Sequence, residues 1–256
     1  MWRATARRLP WPPLRSQRTR WLSSDAGPVP RRRVAALCGN GDYGRLGLGA
    51  LESQWITTAC PFFLSRSDDP PASLACGGAH TLFQSFSHSG GVFATGLNDF
   101  GQLGTGSSAT HTPEPIEVSG IQEKVVAIAA GNHHSCARMV ISLFGGRNSS
   151  GQLGLGKGAG KVVSTPTKVD YLADFRVKVA ALGSEHSIIV TESEIHPLLS
   201  SQEVGEVLSW GAAGAGRLGH GHKSGFLGFS LTSRGTDMVR SPEILKSSLF
   251  ELPVSK

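Results

Sequence analysis

The sequence predicts an all-β protein, an incomplete β-propeller of about 3.5–4 blades. A glycine phrase, Gly-x4-Gly-[Gln/Arg]-Leu-Gly-x-Gly, occurs four times, starting at Gly39, Gly96, Gly146 and Gly211. A second phrase, Gly-x-x-His-[Ser/Thr], falls between successive copies at Gly77–Thr81, Gly131–Ser135 and Gly183–Ser187. The period is near 50: His80, His134 and His186 are 54 and 52 residues apart, and Gly101 and Gly151 are 50 apart. That period, with short apolar runs between glycine turns, suits a propeller blade of about four strands. Two phrases alternating in fixed order also lower the weight of any single glycine loop or histidine as a catalytic device.

The strand candidates are short and β-branched or aromatic: 34–37, 91–95, 124–130, 177–181, 187–191 and 206–210. No segment carries a long apolar stripe of helical period behind a capping residue. The glycines allow positive φ and close backbone approach at the strand turns. Leu46, Leu103, Leu153 and Leu218 recur in the glycine phrase and are expected to pack between neighbouring blades.

The 256 residues are enough for one β-rich domain with a sizeable core. The formal charge of +6 is unevenly spread. Residues 1–33 hold nine Arg and one acid, Asp25, whereas the remainder holds 16 basic and 18 acidic side chains. The basic character therefore belongs to the leader, and the body shows no net positive charge for nucleic acid. Arg-rich, with no acid before Asp25 and with Pro10, Pro12 and Pro13 ending a short amphipathic start, residues 1–33 have the composition of a mitochondrial transit peptide. A plastid or nuclear address is the alternative. No stretch is long and apolar enough to span a membrane. The expected organisation is leader 1–33, repeat blades 34–221, and an irregular tail 222–256 formed by a truncated repeat.

Cys38, Cys60, Cys76 and Cys136 form no Cys-x-x-Cys pair and are expected as buried free thiols. Residues Gly39–Gly44 fit Gly-x-Gly-x-x-Gly, but the following Arg45–Ala50 is too rich in glycine to start the helix a dinucleotide needs. His80, His134 and His186 fall one to a blade, so they do not gather round a metal. His88, His111, His196, His220 and His222 fall in expected turns, solvated. No Ser/His/Asp order and no paired carboxylates stand out. The expectation is no catalytic, cofactor-binding or metal site, and no cofactor.

The phrases 96–104 and 146–154, with Gly77-x-x-His80, Gly131-x-x-His134 and Gly183-x-x-His186, resemble the regulator of chromosome condensation repeat, a family of β-propellers. The resemblance runs over about residues 34–221. It implies a structural role for Gly39, Gly44, Leu46, Gly77, His80, Gly96, Gly101, Leu103 and Gly131. It implies the same for His134, Gly146, Gly151, Leu153, Gly183, His186, Gly211, Gly216 and Leu218. It also implies that the histidines hydrogen-bond within their own blade. A light-sensing branch places Trp after the Gly of Gly-x-x-His; here those positions are Gly78, Asn132 and Ser184. Family propellers close with seven blades, so this array is expected to be a shortened form, stable alone only if it pairs with another copy. The implied function is a non-enzymatic scaffold for protein partners in mitochondria, supporting organellar RNA processing or ribosomes. The alternatives are a guanine-nucleotide exchange factor for a small GTPase and a direct RNA- or DNA-binding module.

Overall fold

Short runs of small, β-branched and aromatic residues, cut by glycine turns, build fourteen strands in four antiparallel sheets among the described residues. The computed structural model describes residues 33–86, 90–192, 205–221 and 238–246, all within one unit, Arg32–Lys256. The leader (Arg33 apart), His88, His196, His222 and residues 193–204 lie outside the described residues.

The first sheet has two strands, β1 (Ala36–Gly39) and β2 (Gln54–Ala59). The second joins β3 (Pro71–Cys76), β4 (His80–Ser85), β5 (Val92–Leu97) and β6 (His111–Glu117) in sequence order. The third repeats this with β7 (Ala127–Ala130), β8 (His134–Arg138), β9 (Ser142–Arg147) and β10 (Val162–Lys168). The fourth has β11 (Val177–Leu182), β12 (His186–Thr191), β13 (Val207–Ala212) and β14 (Met238–Ile244). β7 packs against β3 and β4, and β11 packs against β7 and β8. The first strands of successive blades are therefore neighbours. A four-residue helix, α1 (Pro61–Leu64), follows β2. The result is three full blades and an outer half-blade, within the predicted range of blades.

Two expectations need correction. The tail is not irregular throughout: β14 pairs with β13 from Leu208↔Ile244 to Ala212↔Met238 and completes the fourth blade. Its Arg-Ser-Pro-Glu stretch reads as a loop by propensity, but proline is tolerated on an outer strand whose free edge needs no N–H. The thiols divide as well: Cys60 and Cys136 are buried, whereas Cys38 and Cys76 are exposed. Burial pushes the Cys136 thiol up to about 12, leaving it an inert apolar filler. Residues 138–142, which lack Gly and Asp, still make the β8–β9 turn, with Arg138 paired to Ser142.

The leucines seal the blade boundaries. Leu46 clusters with Phe83 and Phe93 of the second sheet. Leu103 clusters with Leu82 and Ala94 and reaches Ile128 and Ala130 of the third. Leu153 clusters with Ile189, Leu208 and Trp210 of the fourth. Outside them runs a second, backbone contact. A Cβ on Gly44, Gly101 or Gly151 would meet the Cα of Pro113, Ser164 or Arg240 of the following blade at 2.2, 2.4 and 3.0 Å. Five residues later, the N–H groups of Gly49, Gly106 and Gly156 donate to the carbonyls of Pro113, Ser164 and Arg240 at 2.9, 3.1 and 2.9 Å. Three successive boundaries thus share one register.

Trp210 is the largest fully buried side chain. Its ring meets Phe144 edge-on at 5.6 Å, and its Nε1–H donates to the Gln152 carbonyl at 2.9 Å. Truncation to alanine removes that packing and the bond together. Trp210→Ala should lower unfolding free energy by about 3–5 kcal/mol and Trp210→Phe by less than half of that, read from urea midpoints.

Candidate interaction surface

The repeated phrases build the joints between blades. His80 Nε2 lies 2.9 Å from Ser135 Oγ, and His134 Nε2 lies 3.1 Å from Ser187 Oγ. Ser135 spends its one proton on the Gln102 carbonyl and Ser187 on the Gln152 carbonyl, each at 2.7 Å. Each serine oxygen must then accept, so each histidine carries its proton on Nε2. The chain of bonds starts in one blade, crosses to the next and returns. For His80 and His134 this corrects the expectation that the histidines bond within their own blade: their side chains reach along the array to the hydroxyl at the next blade's strand start. Thr81 repeats the second link, donating to the Arg45 carbonyl at 2.7 Å.

The glycine three residues before each histidine is required by space. A Cβ on Gly77, Gly131 or Gly183 would lie 2.2–2.5 Å from Cε1 of its own histidine. At Gly77 and Gly131 it would also strike the Gly carbonyl of the next blade at 2.5 and 2.6 Å. The same closeness lets Gly78 N–H donate to Gly131 O and Asn132 N–H to Gly183 O. Gly96, Gly146 and Gly211 are needed for conformation as well, at φ +107, +112 and +109.

The glycine phrases fall into two structural types. In the second and third copies, Asn98 and Asn148 accept from Leu103 and Leu153 N–H, and Gln102 and Gln152 accept from the N–H of Phe100 and Ser150. The first and fourth copies have Gly41 and Ala213 in place of the Asn, and Arg45 and Arg217 in place of the Gln. Without those acceptors the loop tightens into 3-10 turns at 42–44 and 214–216. Tyr43 and Ala215 are left at φ 62 and 58, a strain of about 1–2 kcal/mol each. In the first copy this turn lies within the dinucleotide-like Gly39–Gly44, and residues 45–50 after it form no helix.

Burial holds the joint histidines neutral. It lowers His80 to about 3 and His134 to about 4, neighbouring histidines adding to the effect at both. His186 is lowered too, by burial and then by Arg217. Among the described residues, no cluster of three or more metal-ligating side chains forms.

Between the repeating positions, variable side chains form a row across three blades. Phe100 and His133 rings are 5.1 Å apart, and the Arg147 guanidinium lies over Phe100 at 5.2 Å. Arg147 also reaches Glu185 at 3.9 Å and donates to Ser149 Oγ at 2.7 Å. Glu185 is shared with Arg217 at 3.8 Å. Burial and then Arg147 lower His133, opposed by Asp99. These ion pairs are long and half exposed, worth at most about 1 kcal/mol each. The row brings two arginines, a histidine, a phenylalanine and a carboxylate together across three blades.

The regulator of chromosome condensation (RCC1) repeat matches residues 37–84, 89–138 and 144–190, more than half of the chain. The chain belongs to that repeat family. The ultraviolet-B receptor UVR8 of Arabidopsis thaliana is 35% identical over 195 residues, 73% of this chain and 39% of its own length. The Drosophila melanogaster regulator of chromosome condensation is 28% identical over 202 residues, 75% of this chain and 32% of its own. The chain thus spans well under half the length of these relatives. Human WBSCR16 shares the fold with a TM-score of 0.63 at 23% identity, over 82% of this chain and 48% of that one. Yeast RCC1 (Prp20), solved bound to Kap60, gives 0.63 at 21%, over 85% and 45%.

Within the RCC1-repeat frame, the repeat residues read from sequence sit at the joints and turns. The glycines make the close approaches and positive-φ turns, His80 and His134 make the relay, and Leu46, Leu103 and Leu153 fill the boundaries, whereas Leu218 is buried with no following blade among the described residues. Gly39 and Gly216 have open space around them, as does the outward side of His186. Sequence reasoning missed the relay serines as partners of the preceding blade's histidine, although both lie in the phrase. It also missed Phe100, Arg147, Glu185 and Arg217, which carry no motif because they differ from copy to copy. His220, expected to be solvated, is within 3.1 Å of Ser209 Oγ with its side chain 8% exposed, and His111 lies on β6.

The depressed histidines make stability pH-dependent. The folded chain binds fewer protons than the unfolded chain, whose histidines titrate at 6.5. Their contribution is complete above that value and is lost as pH falls toward about 4 and about 3. Urea titrations should show stability flat above pH 7 and falling by about 1.4 kcal/mol per pH unit per histidine below about pH 6. His134→Gln, which keeps an N–H donor, should remove one proton from that slope.

Proposed function

We propose that the chain is a non-enzymatic binding platform working in mitochondria, whose Phe100–His133–Arg147–Glu185–Arg217 row takes an acidic segment of a protein partner. Arg147 carries this reading. Its guanidinium is oriented by the Phe100 ring and Ser149, and its carboxylate contact at 3.9 Å is loose enough for exchange. A partner carboxylate could displace Glu185 and bind two arginines at once, in the bidentate manner that guanidinium favours. The aromatic contact adds about 0.5–1 kcal/mol at such a site.

A protein partner is in keeping with yeast Prp20p, a fold neighbour whose structure was reported with its binding to Gsp1p and histones. The partner classes are an organellar RNA-processing or ribosomal complex and a small GTPase. The body's balance of 16 basic against 18 acidic residues supports indirect contact with RNA. The compartment reading rests on the nine arginines and single acid of residues 1–33.

Two measurements check this. Arg147→Glu combined with Arg217→Glu should cut capture of partners from mitochondrial lysate at least about tenfold, with unfolding free energy lowered by about 2–3 kcal/mol at most as the two ion pairs to Glu185 are lost, the chain remaining folded. Unchanged capture would remove the row from the function. Deleting residues 1–33 should abolish uptake of the chain by isolated mitochondria, and uptake without them would remove the compartment.

A further inference from the structure

The register that joins successive blades has its two halves exposed at opposite ends of the array. At the three internal boundaries, the first glycine of the loop (Gly44, Gly101, Gly151) receives the Cα of the following blade's outer strand. The middle glycine (Gly47, Gly104, Gly154) receives Pro115, Pro166 and Pro242, together with Thr95 or Trp210 at the first and third boundaries. The last glycine (Gly49, Gly106, Gly156) lies beside Glu114, Thr165 and Ser241 and donates its N–H across the boundary.

The fourth loop carries the same glycines, Gly216, Gly219 and Gly221. Among the described residues nothing lies within 4 Å of the Cβ position of Gly216 or Gly221, and Gly219 meets only Leu245 of its own blade. Among the described residues this socket is unfilled. Strand pairing places the matching plug on β2. Gln54 pairs with Gly39 as Thr112 pairs with Gly96, Val163 with Gly146 and Val239 with Gly211. Trp55 therefore stands where Pro113, Ser164 and Arg240 stand, and Ile56 and Thr57 follow in step. Among the described residues no strand covers this side of β2, where Trp55 is 95% exposed and Ile56 76% exposed. An isolated, almost fully exposed Trp beside an exposed Ile is the composition of an interface centre.

We propose that two copies of this chain associate head to tail, the β2 strand of one docking into the Gly216–Gly221 loop of the other. Trp55 Cα then sits on Gly216, Ile56 lies beside Gly221, Thr57 packs at Gly219, and Gly221 N–H donates to the Trp55 carbonyl. The occupant is a second copy because both complementary halves are on the same molecule and repeat a register this chain already uses three times. The contact is heterologous, so each copy keeps one free half unless two contacts close a pair.

Sedimentation of the full chain tests this. Wild type should show mass rising with concentration above the 26.9 kDa of one copy. Trp55→Asp changes an exposed side chain, and Gly216→Asn adds a Cβ in the socket while tolerating positive φ. Each variant alone should sediment as a monomer with an unchanged melting temperature. An equimolar mixture should recover a two-copy species and nothing larger, because it contains one intact plug and one intact socket. A monomeric wild type, association that survives both substitutions, or a mixture that stays monomeric would each overturn the proposal.

Discussion

The relay from histidine Nε2–H to a serine hydroxyl to a glycine-loop carbonyl is the constraint on which this array depends. It joins blades through side chains that have no water to fall back on. His134 and Ser187 are fully buried, and the bonds return to the carbonyls of Gln102 and Gln152 in the previous blade. Everything near it follows. The histidine ring must lie flat on the strand start, so the residue three before it has no Cβ. The serine must offer one proton and take one, so the histidine must carry a proton on Nε2. Neutrality comes from burial, and burial comes from the leucines packed beside the joint. A relay broken at one member leaves buried polar atoms unpaired, at a cost of about 1–3 kcal/mol for each.

Because the repeating residues are consumed at the joints, the side chains that vary from blade to blade stand at the positions that do not repeat. Ala79, His133 and Glu185 occupy one position in successive blades, and Leu97, Arg147 and Ala212 another. The backbone holds both positions alike, Leu97, Arg147 and Ala212 N–H donating to the carbonyls of Ala79, His133 and Glu185. One scaffold geometry therefore presents different side chains at regular steps, and the Phe100–Arg217 row arises where three of them meet. The first and fourth glycine loops show the converse. Loss of the Asn and Gln acceptors strains Tyr43 and Ala215, so departures from the repeat change backbone as well as surface.

The elements that sequence left unread have a common physical reason. Strands such as β3, β4, β6 and β10 are polar or proline-bearing, and they exist because a neighbour supplies their hydrogen bonds. β14 is the extreme case, a Met-Val-Arg-Ser-Pro-Glu-Ile stretch held by pairing with β13. Cys38 and Cys76 carry small apolar side chains at positions that would be covered in an internal blade. They are exposed because they face the side where the half-blade has no inner strands. Propensity records what a residue tolerates, and pairing decides what it does.

From sequence alone, the phrase spacing determined that the chain is a propeller of repeated four-strand blades, because only a repeated backbone geometry demands glycine, histidine and leucine at the same steps. The tertiary structure decided what those residues bond to. The histidine hydroxyl partner is more than 50 residues away in another blade, a distance no local pattern encodes. It decided also that Phe100, Arg147, Glu185 and Arg217 meet, since residues on three loops and the end of β9 become neighbours only after the blades have stacked.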